Sequence, residues 1–289
     1  MGNYKPKQRE LYDKNGKTFN SKIDLDKYYT PIDLAKYCID KTYEIIGEEN
    51  ITEIIEPSAG CGNFSLQIPN CIAYDIEPEH ESIIKQDFFE IKLPYKEGRL
   101  IIGNPPYGRV GNLSLQFFKH SVQMAEYIAF ILPASQYNNN YKTYEFELIY
   151  SELIDKNKFE SLDKRVKLSF NIYKRPINGL NKRKKYKFKD FEVYEKCETT
   201  NIKRNRPYKD NNYDFRICTW GQKCGMILNE NQYYAKEAGI YIYNKDLKNE
   251  IRKLFETNDI MEEYYMTSTP NLSLWMIYEY ILKHIPNIK

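Results

Sequence analysis

The sequence is short of the side chains that build metal sites, disulfides and membrane anchors. It has three histidines, and its six cysteines form no C-x-x-C pair, so we expect reduced thiols and no zinc site. Residues 1–17 are polar and lack an apolar signal core, and no later apolar run is long enough to cross a bilayer. The net charge of +3 is too small to indicate a nucleic-acid partner by itself. These features predict a cytoplasmic protein with no metal and no membrane contact.

The most informative stretch is residues 101–108, which read Ile-Ile-Gly-Asn-Pro-Pro-Tyr-Gly. An apolar run ending at Gly103 predicts a buried strand and a turn, and the two prolines that follow stiffen the backbone. The corner presents the side-chain oxygen of Asn104, the carbonyl of Pro105 and the ring of Tyr107. This set suits a planar amino group, since two oxygens can accept its two N–H bonds while the ring stacks. The alternative is a proline-stiffened turn that ends in a surface tyrosine.

A glycine-rich loop follows an earlier β-branched run at residues 51–55. Residues 56–64 read Glu-Pro-Ser-Ala-Gly-Cys-Gly-Asn-Phe, the layout of a strand, a small-residue loop and a helix start. Such a loop can hold a polar ligand on its backbone amides. It lacks the G-x-G-x-x-G pattern and the Lys-Ser/Thr ending of phosphate-binding loops, and Glu56 at its entrance suits a cationic ligand instead.

Acidic residues follow the next two predicted strands. Asp75 ends a strand at residues 71–74, and Asp87 follows a weak strand at residues 82–85. A carboxylate at the first position can hold both hydroxyls of a ribose, and one followed by aromatics at the second can bind an adenine. Each could equally be a helix cap or a turn residue. Their recurrence at successive strand ends favours a ligand site.

The remaining pattern predicts alternating helices and strands. Thr30 and Pro31 are expected to be the N-cap and first residue of a helix that continues to Ile46. Residues 166–173 alternate, so they predict a half-exposed strand. The other predicted elements are a helix at 113–124, strands at 127–132, 214–220 and 239–243, a helix at 245–255, and a last helix from Thr269-Pro270 to His284.

Lysine and arginine clearly outnumber acids from Lys174 to Lys209. Two interpretations are evenly balanced here: a solvated loop, or a surface that follows phosphates and offers aromatic rings for stacking. The interleaved rings are Tyr186, Phe188, Phe191, Tyr194 and Tyr208. On the second interpretation the DNA-binding residues are Lys182, Arg183, Lys184, Lys185, Lys203, Arg204 and Arg206.

The order of these motifs resembles the S-adenosylmethionine-dependent DNA adenine-N6 methyltransferases of the gamma arrangement. In that family Tyr-Thr-Pro precedes the glycine loop, Asn-Pro-Pro-Tyr follows it, and target recognition is C-terminal; the resemblance covers residues 28–173. It implies a Rossmann-like methyltransferase fold with a seven-stranded, mostly parallel sheet, helices on both faces and a small C-terminal α+β region. The implied ranges are an arm at 1–25, a catalytic domain at 26–174 and a target-recognition region at 175–289.

The resemblance also implies roles for individual residues. It assigns catalysis to Asn104, Pro105, Pro106 and Tyr107. It assigns stacking on the extruded base to Tyr107 and Phe170, with Tyr173 as the alternative to Phe170. The implied cofactor is S-adenosylmethionine, and the residues implied to bind it are Tyr29, Thr30, Pro31, Glu56, Ser58, Ala59, Gly60, Gly62, Asp75, Ile76, Asp87 and Phe88.

The expected partner is double-stranded DNA, with a cognate restriction endonuclease or a second subunit as further partners to test. The same corner also suits cytosine-N4, RNA adenine and protein glutamine methylation. A non-catalytic DNA-binding subunit is the remaining alternative.

Overall fold

The computed structural model describes seven segments of the chain, which form two compact units divided between Asn181 and Lys182. The N-terminal arm at residues 1–25, Val166, and the predicted DNA contacts Lys203, Arg204 and Arg206 lie outside these segments. The described residues are 29–108, 112–155, 167–197, 212–229, 234–257, 259–264 and 270–289.

The first unit is built on one seven-stranded sheet. The strands are β1 (Glu53–Glu56), β2 (Ile72–Asp75), β3 (Ile84–Lys85), β4 (Arg99–Gly103), β5 (Tyr127–Pro133), β6 (Glu147–Leu153) and β7 (Leu168–Lys174). Their order in the sheet is β3-β2-β1-β4-β5-β7-β6. All neighbouring pairs from β3 to β5 are parallel, whereas β7 runs antiparallel to both β5 and β6. This order, with one reversed strand near the edge, confirms the predicted Rossmann-like methyltransferase fold.

Helices cover both faces of this sheet, as predicted. Side chains alternate between the faces of a strand, so Leu100 and Ile102 of β4 point to one face and Ile101 to the other. The first pair shares an apolar cluster with helix α1 (Ile32–Ile46), and Ile101 shares one with helix α2 (Asn112–Ser121). Burial on both faces explains why β4 and β5 are continuous apolar runs.

Strand β7 differs from its predicted half-exposed state, because every residue from Leu168 to Tyr173 is buried. It lies between β5 and β6, so neither of its edges is free. Its polar side chains satisfy one another: Asn171 Nδ2 donates to Ser169 Oγ at 2.9 Å, and Ser151 Oγ of β6 donates to Asn171 Oδ1 at 2.6 Å. Hydrogen bonding allows an alternating pattern to be buried on both faces.

The second unit is an antiparallel sheet with helices, which confirms the predicted α+β region. The elements are β8 (Phe191–Cys197), β9 (Phe215–Cys218), β10 (Ile227–Leu228), β11 (Lys236–Ile242), α3 (Lys248–Lys253), α4 (Ile260–Glu263) and α5 (Leu274–His284). The strand order is β10-β9-β11-β8. The last helix begins at Leu274 with Ser273 as N-cap, rather than at Thr269-Pro270, and ends at His284 as predicted. Its Tyr278 hydroxyl accepts a hydrogen bond from Val193 N at 2.9 Å, which fixes the helix on the sheet.

Within the seven described segments, no helix combines the length and the apolar character needed to cross a membrane. The same residues contain no cluster of three or more His, Cys, Asp or Glu side chains that could hold a metal ion.

Candidate active site

The site lies at the edge of the first sheet where the parallel strands end. Strands β1 and β4 are neighbours at the centre, and the strand order reverses between them. Ligands in open α/β sheets bind in the crevice outside such a reversal. Glu56 ends β1, Asp75 ends β2, Asp87 follows β3 by two residues, and Gly103 ends β4 next to Asn104. The fold therefore brings all four predicted segments to one edge.

The glycine loop is fixed to the end of β2 by Asp75. Its Oδ2 accepts from Gly60 N at 2.7 Å, and its Oδ1 accepts from Glu77 N at 2.8 Å. Gly60 and Gly62 have φ values of +55° and +88°, and a Cβ on Gly62 would lie 2.9 Å from Leu66 Cγ. Each carboxylate oxygen has two lone pairs, so Asp75 keeps acceptor capacity for a ligand hydroxyl.

Glu56 is a buried carboxyl group at the centre of this edge, with 2% of the residue exposed. Its Oε2 accepts from Ser65 N at 2.9 Å, and a Cβ on Gly103 would lie 3.4 Å from its Cγ. Burial raises the pKa of Glu56 to about 8; the hydrogen bonds from Ser65 oppose this rise, and the charge of Asp75 adds to it. The carboxyl group is therefore mostly protonated at neutral pH, and a cation beside it would favour ionisation.

Thr30 has a different role from the predicted helix cap. Helix α1 begins at Ile32, its N-cap is Pro31, and no side chain caps it. The Thr30 hydroxyl instead accepts from Asn104 Nδ2 at 3.1 Å. Its carbonyl accepts from Asn63 Nδ2 at 2.7 Å, which joins this segment to the glycine loop. Sequence reasoning assigned no role to Asn63, although an amide in a small-residue loop was a signal for one.

Tyr29 lies beside the glycine loop and is held by Glu79, another residue that sequence reasoning missed. The Tyr29 hydroxyl donates to Glu79 Oε1, and a Cβ on Gly60 would lie 3.7 Å from the Tyr29 ring. Glu79 N in turn donates to Gly60 O at 3.0 Å. The bond to Glu79, together with burial, raises the pKa of Tyr29 to about 12. Tyr29 therefore stays a neutral donor at physiological pH.

The Asn104 side chain is oriented from both ends. Its Nδ2 donates to Thr30, and its Oδ1 accepts from the Tyr107 hydroxyl at 2.7 Å. Pro105 and Tyr107 are buried, whereas Pro106 is half-buried. A carboxamide oxygen has two lone pairs, and the bond from Tyr107 uses one of those on Asn104 Oδ1.

Asp87 and Phe88 face different surroundings. Asp87 Oδ1 accepts from Phe89 N at 2.9 Å, so this carboxylate caps the short 3₁₀ turn at Phe88–Glu90. Phe88 is fully buried and stacks on Phe117 of α2 with ring centroids 5.5 Å apart. Core contacts therefore occupy the Phe88 ring. Ile76, which follows Asp75, has an exposed side chain.

Both aromatic candidates on β7 are also core residues. Phe170 belongs to the cluster that contains Tyr107, and Tyr173 packs edge-on against Phe118 with centroids 4.8 Å apart. Neither ring is exposed. The assignment of Phe170 to base stacking stays a prediction, and it requires the ring to become accessible when a base enters.

The predicted DNA-binding cluster at residues 182–185 is exposed. Lys184 pairs with Glu279 at 2.9 Å. The nearby Tyr186 and Phe188 stack on Tyr278, with centroids 5.1 and 5.8 Å apart. Both residues are half-buried and pack on the core of the second unit, so their availability for stacking on bases stays a prediction.

No protein-family model matches this chain, and no curated protein matches it. Solved structures with a similar fold include a Listeria monocytogenes protein proposed to be a class I S-adenosylmethionine-dependent methyltransferase, at 12% identity, TM-score 0.43 and 54% coverage of this chain. A Pyrococcus horikoshii protein proposed to be an RNA methyltransferase has 14% identity, TM-score 0.41 and 53% coverage. The magnesium protoporphyrin IX methyltransferase of Synechocystis PCC 6803, solved with bound S-adenosylmethionine, has 8% identity, TM-score 0.36 and 50% coverage.

The alignments span 64%, 88% and 78% of those three chains, respectively. This chain thus matches just under two thirds of the Listeria protein. The order and direction of the strands in its own sheet place the first unit in the Rossmann-like methyltransferase fold.

Proposed function

We propose that this protein transfers the methyl group of S-adenosylmethionine to the exocyclic N6 amine of an adenine in DNA. The observation that carries the proposal is the position of Asn104. Its oriented carboxamide lies directly after β4, at the reversal of strand order. The preceding residue, Gly103, lies against the Glu56 side chain.

The residues at the edge fit the proposed cofactor. When bound, S-adenosylmethionine supplies a methyl group on a positively charged sulfonium. Asp75 keeps lone pairs for a ribose diol, and Gly60 and Gly62 leave the loop backbone uncovered by Cβ atoms. Glu56 offers a carboxylate to a cationic ligand once it loses its proton. Asp75, Gly60 and Gly62 would hold the nucleoside of the cofactor, and Glu56 would hold its positively charged end.

The catalytic corner addresses the weak nucleophilicity of an aromatic amine. The lone pair of adenine N6 is delocalised into the ring. Asn104 Oδ1 and the Pro105 carbonyl would accept hydrogen bonds from the two N–H groups of this amine. These bonds would draw the nitrogen toward a tetrahedral shape and stabilise the positive charge that develops on it during transfer. Thr30 and Tyr107 hold the Asn104 amide in one orientation before a base enters. Transfer then depends mainly on positioning.

A base inside a duplex cannot reach this corner, so the target adenine must leave the stack. Tyr107 would stack on it, and Phe170 would pack against it. Support for DNA as the acceptor comes from the sequence: Tyr-Thr-Pro precedes the glycine loop, and a basic segment follows the first unit. A restriction endonuclease that reads the same site is the proposed functional partner.

The test is methyl transfer from S-adenosylmethionine with a labelled methyl group to DNA, RNA and protein acceptors in separate reactions. We expect label in DNA, at adenine N6. Asn104→Ala should lower the single-turnover rate about a hundredfold or more while cofactor affinity stays nearly unchanged. Asn50→Ala is a matched control, since the Asn50 side chain donates to Ile46 O at the opposite end of β1. Label in RNA or protein alone would refute the DNA assignment.

A further inference from the structure

An exposed tryptophan in the second unit stands out from the packed aromatic residues around it. Trp220 follows β9, and 50% of its surface is exposed. Its backbone is nevertheless fixed, because Gly221 N donates to Pro270 O and Leu272 N donates to Thr219 O, each at 2.9 Å. A rigid backbone that presents a large ring to solvent is organised for binding before any partner arrives.

Lysines lie against this ring and a second one nearby. Lys236 Nζ lies 5.3 Å from the centroid of Trp220, and Lys223 Nζ lies 5.6 Å from the centroid of Tyr234. Thr219 N donates to Lys236 O at 3.2 Å, so the turn after β9 and the start of β11 are neighbours. Trp220, Lys223, Tyr234 and Lys236 thus form one surface, which we call the Trp220 surface.

In the described stretches that carry these rings, residues 218–229 and 234–236, the only charged residues are two lysines. The next residue, Glu237, is fully buried and paired with Arg216 at 3.0 Å, so it does not offset the lysines at the surface. Cations beside exposed aromatic rings match the two parts of a nucleic acid, phosphates and bases.

We propose that the Trp220 surface is a nucleic-acid contact, with Lys223 and Lys236 on phosphates and the Trp220 ring against a base. The proposal rests on the nucleic-acid acceptor given under Proposed function, and it names a different contact from the cluster at residues 182–185. It also predicts a preference for strands with unpaired bases, since a ring can stack only on a base that is not covered by its neighbours.

Intrinsic fluorescence gives a direct test, because the chain has two tryptophans. Trp275→Phe keeps an aromatic ring beside Tyr264 and leaves Trp220 as the one indole. Titration with random-sequence single-stranded DNA should quench its emission, with less quenching by the matched duplex. Polyglutamate should leave the emission unchanged; equal quenching by polyglutamate would mean that the surface binds acidic polymers in general, which overturns the proposal.

Affinity measurements on labelled DNA provide the second test. Trp220→Ala should weaken binding to the single strand about 5- to 150-fold, the range expected for loss of one stacked base, and Trp220→Phe should restore most of it. With duplex DNA, Lys223→Gln and Lys236→Gln should each make the slope of log affinity against log salt shallower by about 0.9. Lys253→Gln, an exposed lysine on α3, removes the same charge and should leave the slope unchanged.

These readouts separate the two proposals. DNA that binds without quenching Trp220 emission and without loss of affinity in Trp220→Ala overturns the Trp220 surface, even if methyl transfer to DNA is intact. Quenching by DNA together with label in RNA or protein alone refutes the proposed acceptor and leaves the contact standing.

Discussion

The buried carboxyl group of Glu56 should make stability depend on pH in an unusual direction. Its pKa is about 8 in the folded chain, against 4.5 for an ordinary glutamate. Between these values the folded state binds more protons than the unfolded state, so the free energy of unfolding falls as pH rises. This contribution is fully present below pH 4.5 and is lost by about pH 8.

The magnitude follows from the difference between the two pKa values. Each pH unit corresponds to about 1.4 kcal/mol, so the whole window amounts to roughly 5 kcal/mol at most. This is a large fraction of the stability of a typical domain. Glu56→Gln removes the titration and keeps an oxygen that can accept from Ser65 N. The difference in unfolding free energy between the parent chain and Glu56→Gln should therefore decline steadily from pH 5 to pH 8.

The assay is urea denaturation without cofactor at several pH values, followed by circular dichroism, because both tryptophans lie in the second unit and Glu56 lies in the first. Taking the difference between the two proteins cancels the titration of groups that they share. Glu53→Gln is a matched control on the same strand. Burial alone would raise the pKa of Glu53, but hydrogen bonds from Lys96 and Arg99 lower it. The difference in unfolding free energy between the parent chain and Glu53→Gln should not change with pH above pH 5. If the unfolding free energies of Glu56→Gln and the parent chain change with pH in parallel, the argument from a buried proton on Glu56 is refuted.

Three further outcomes are expected. Thr30→Val should lower kcat roughly 2- to 10-fold with KM for the cofactor unchanged, because Asn104 loses one hydrogen bond. Thr30→Ser should restore the rate, and a change confined to the KM for the cofactor would contradict this role of Thr30. Asp75→Ala and Asp87→Ala should each weaken S-adenosylmethionine binding by about 1–3 kcal/mol in calorimetry, and unchanged affinity in a folded double variant would refute both roles. Replacing residues 182–185 with glutamine should flatten the salt dependence of duplex binding for all sequences alike, by about 0.9 per true phosphate contact; an unchanged slope would exclude the cluster.

The sheet of the first unit could be predicted because its signals are local. Strands β4 and β5 are apolar runs that end at Gly103 and Pro133, and such runs predict buried strands directly. Strand β6 was not predicted, because Glu147, Ser151 and Glu152 interrupt its apolar residues and resemble a surface loop. Strand β8 was missed for a similar reason: Phe191 and Val193 alternate with polar residues inside a basic segment that was interpreted as either a solvated loop or a phosphate-binding surface.

The candidate site was predictable in outline and not in its hydrogen bonding. Each motif follows a predicted strand, and the carboxyl ends of parallel strands lie at the same edge of a sheet, so the motifs could be predicted to meet at that edge. Local rules then gave Thr30 the role of a helix cap, because a threonine before proline is a good cap in isolation. Its hydroxyl bonds to Asn104, a residue 74 positions away along the chain, and no local rule reports such a contact. Core packing of Phe88 and Phe170 likewise depends on partners distant in sequence.

The position of β7 has a consequence for how the chain is made. Strand β6 is synthesised before β7, yet β7 lies between β5 and β6 in the sheet. A growing chain that has reached Leu153 therefore has an apolar β5 with one unpaired edge and no neighbour to cover it. Such edges promote association between chains, so the risk during synthesis lasts until Lys174 has left the ribosome. A chain shortened within residues 154–167 would retain that exposed edge permanently, and we expect it to aggregate.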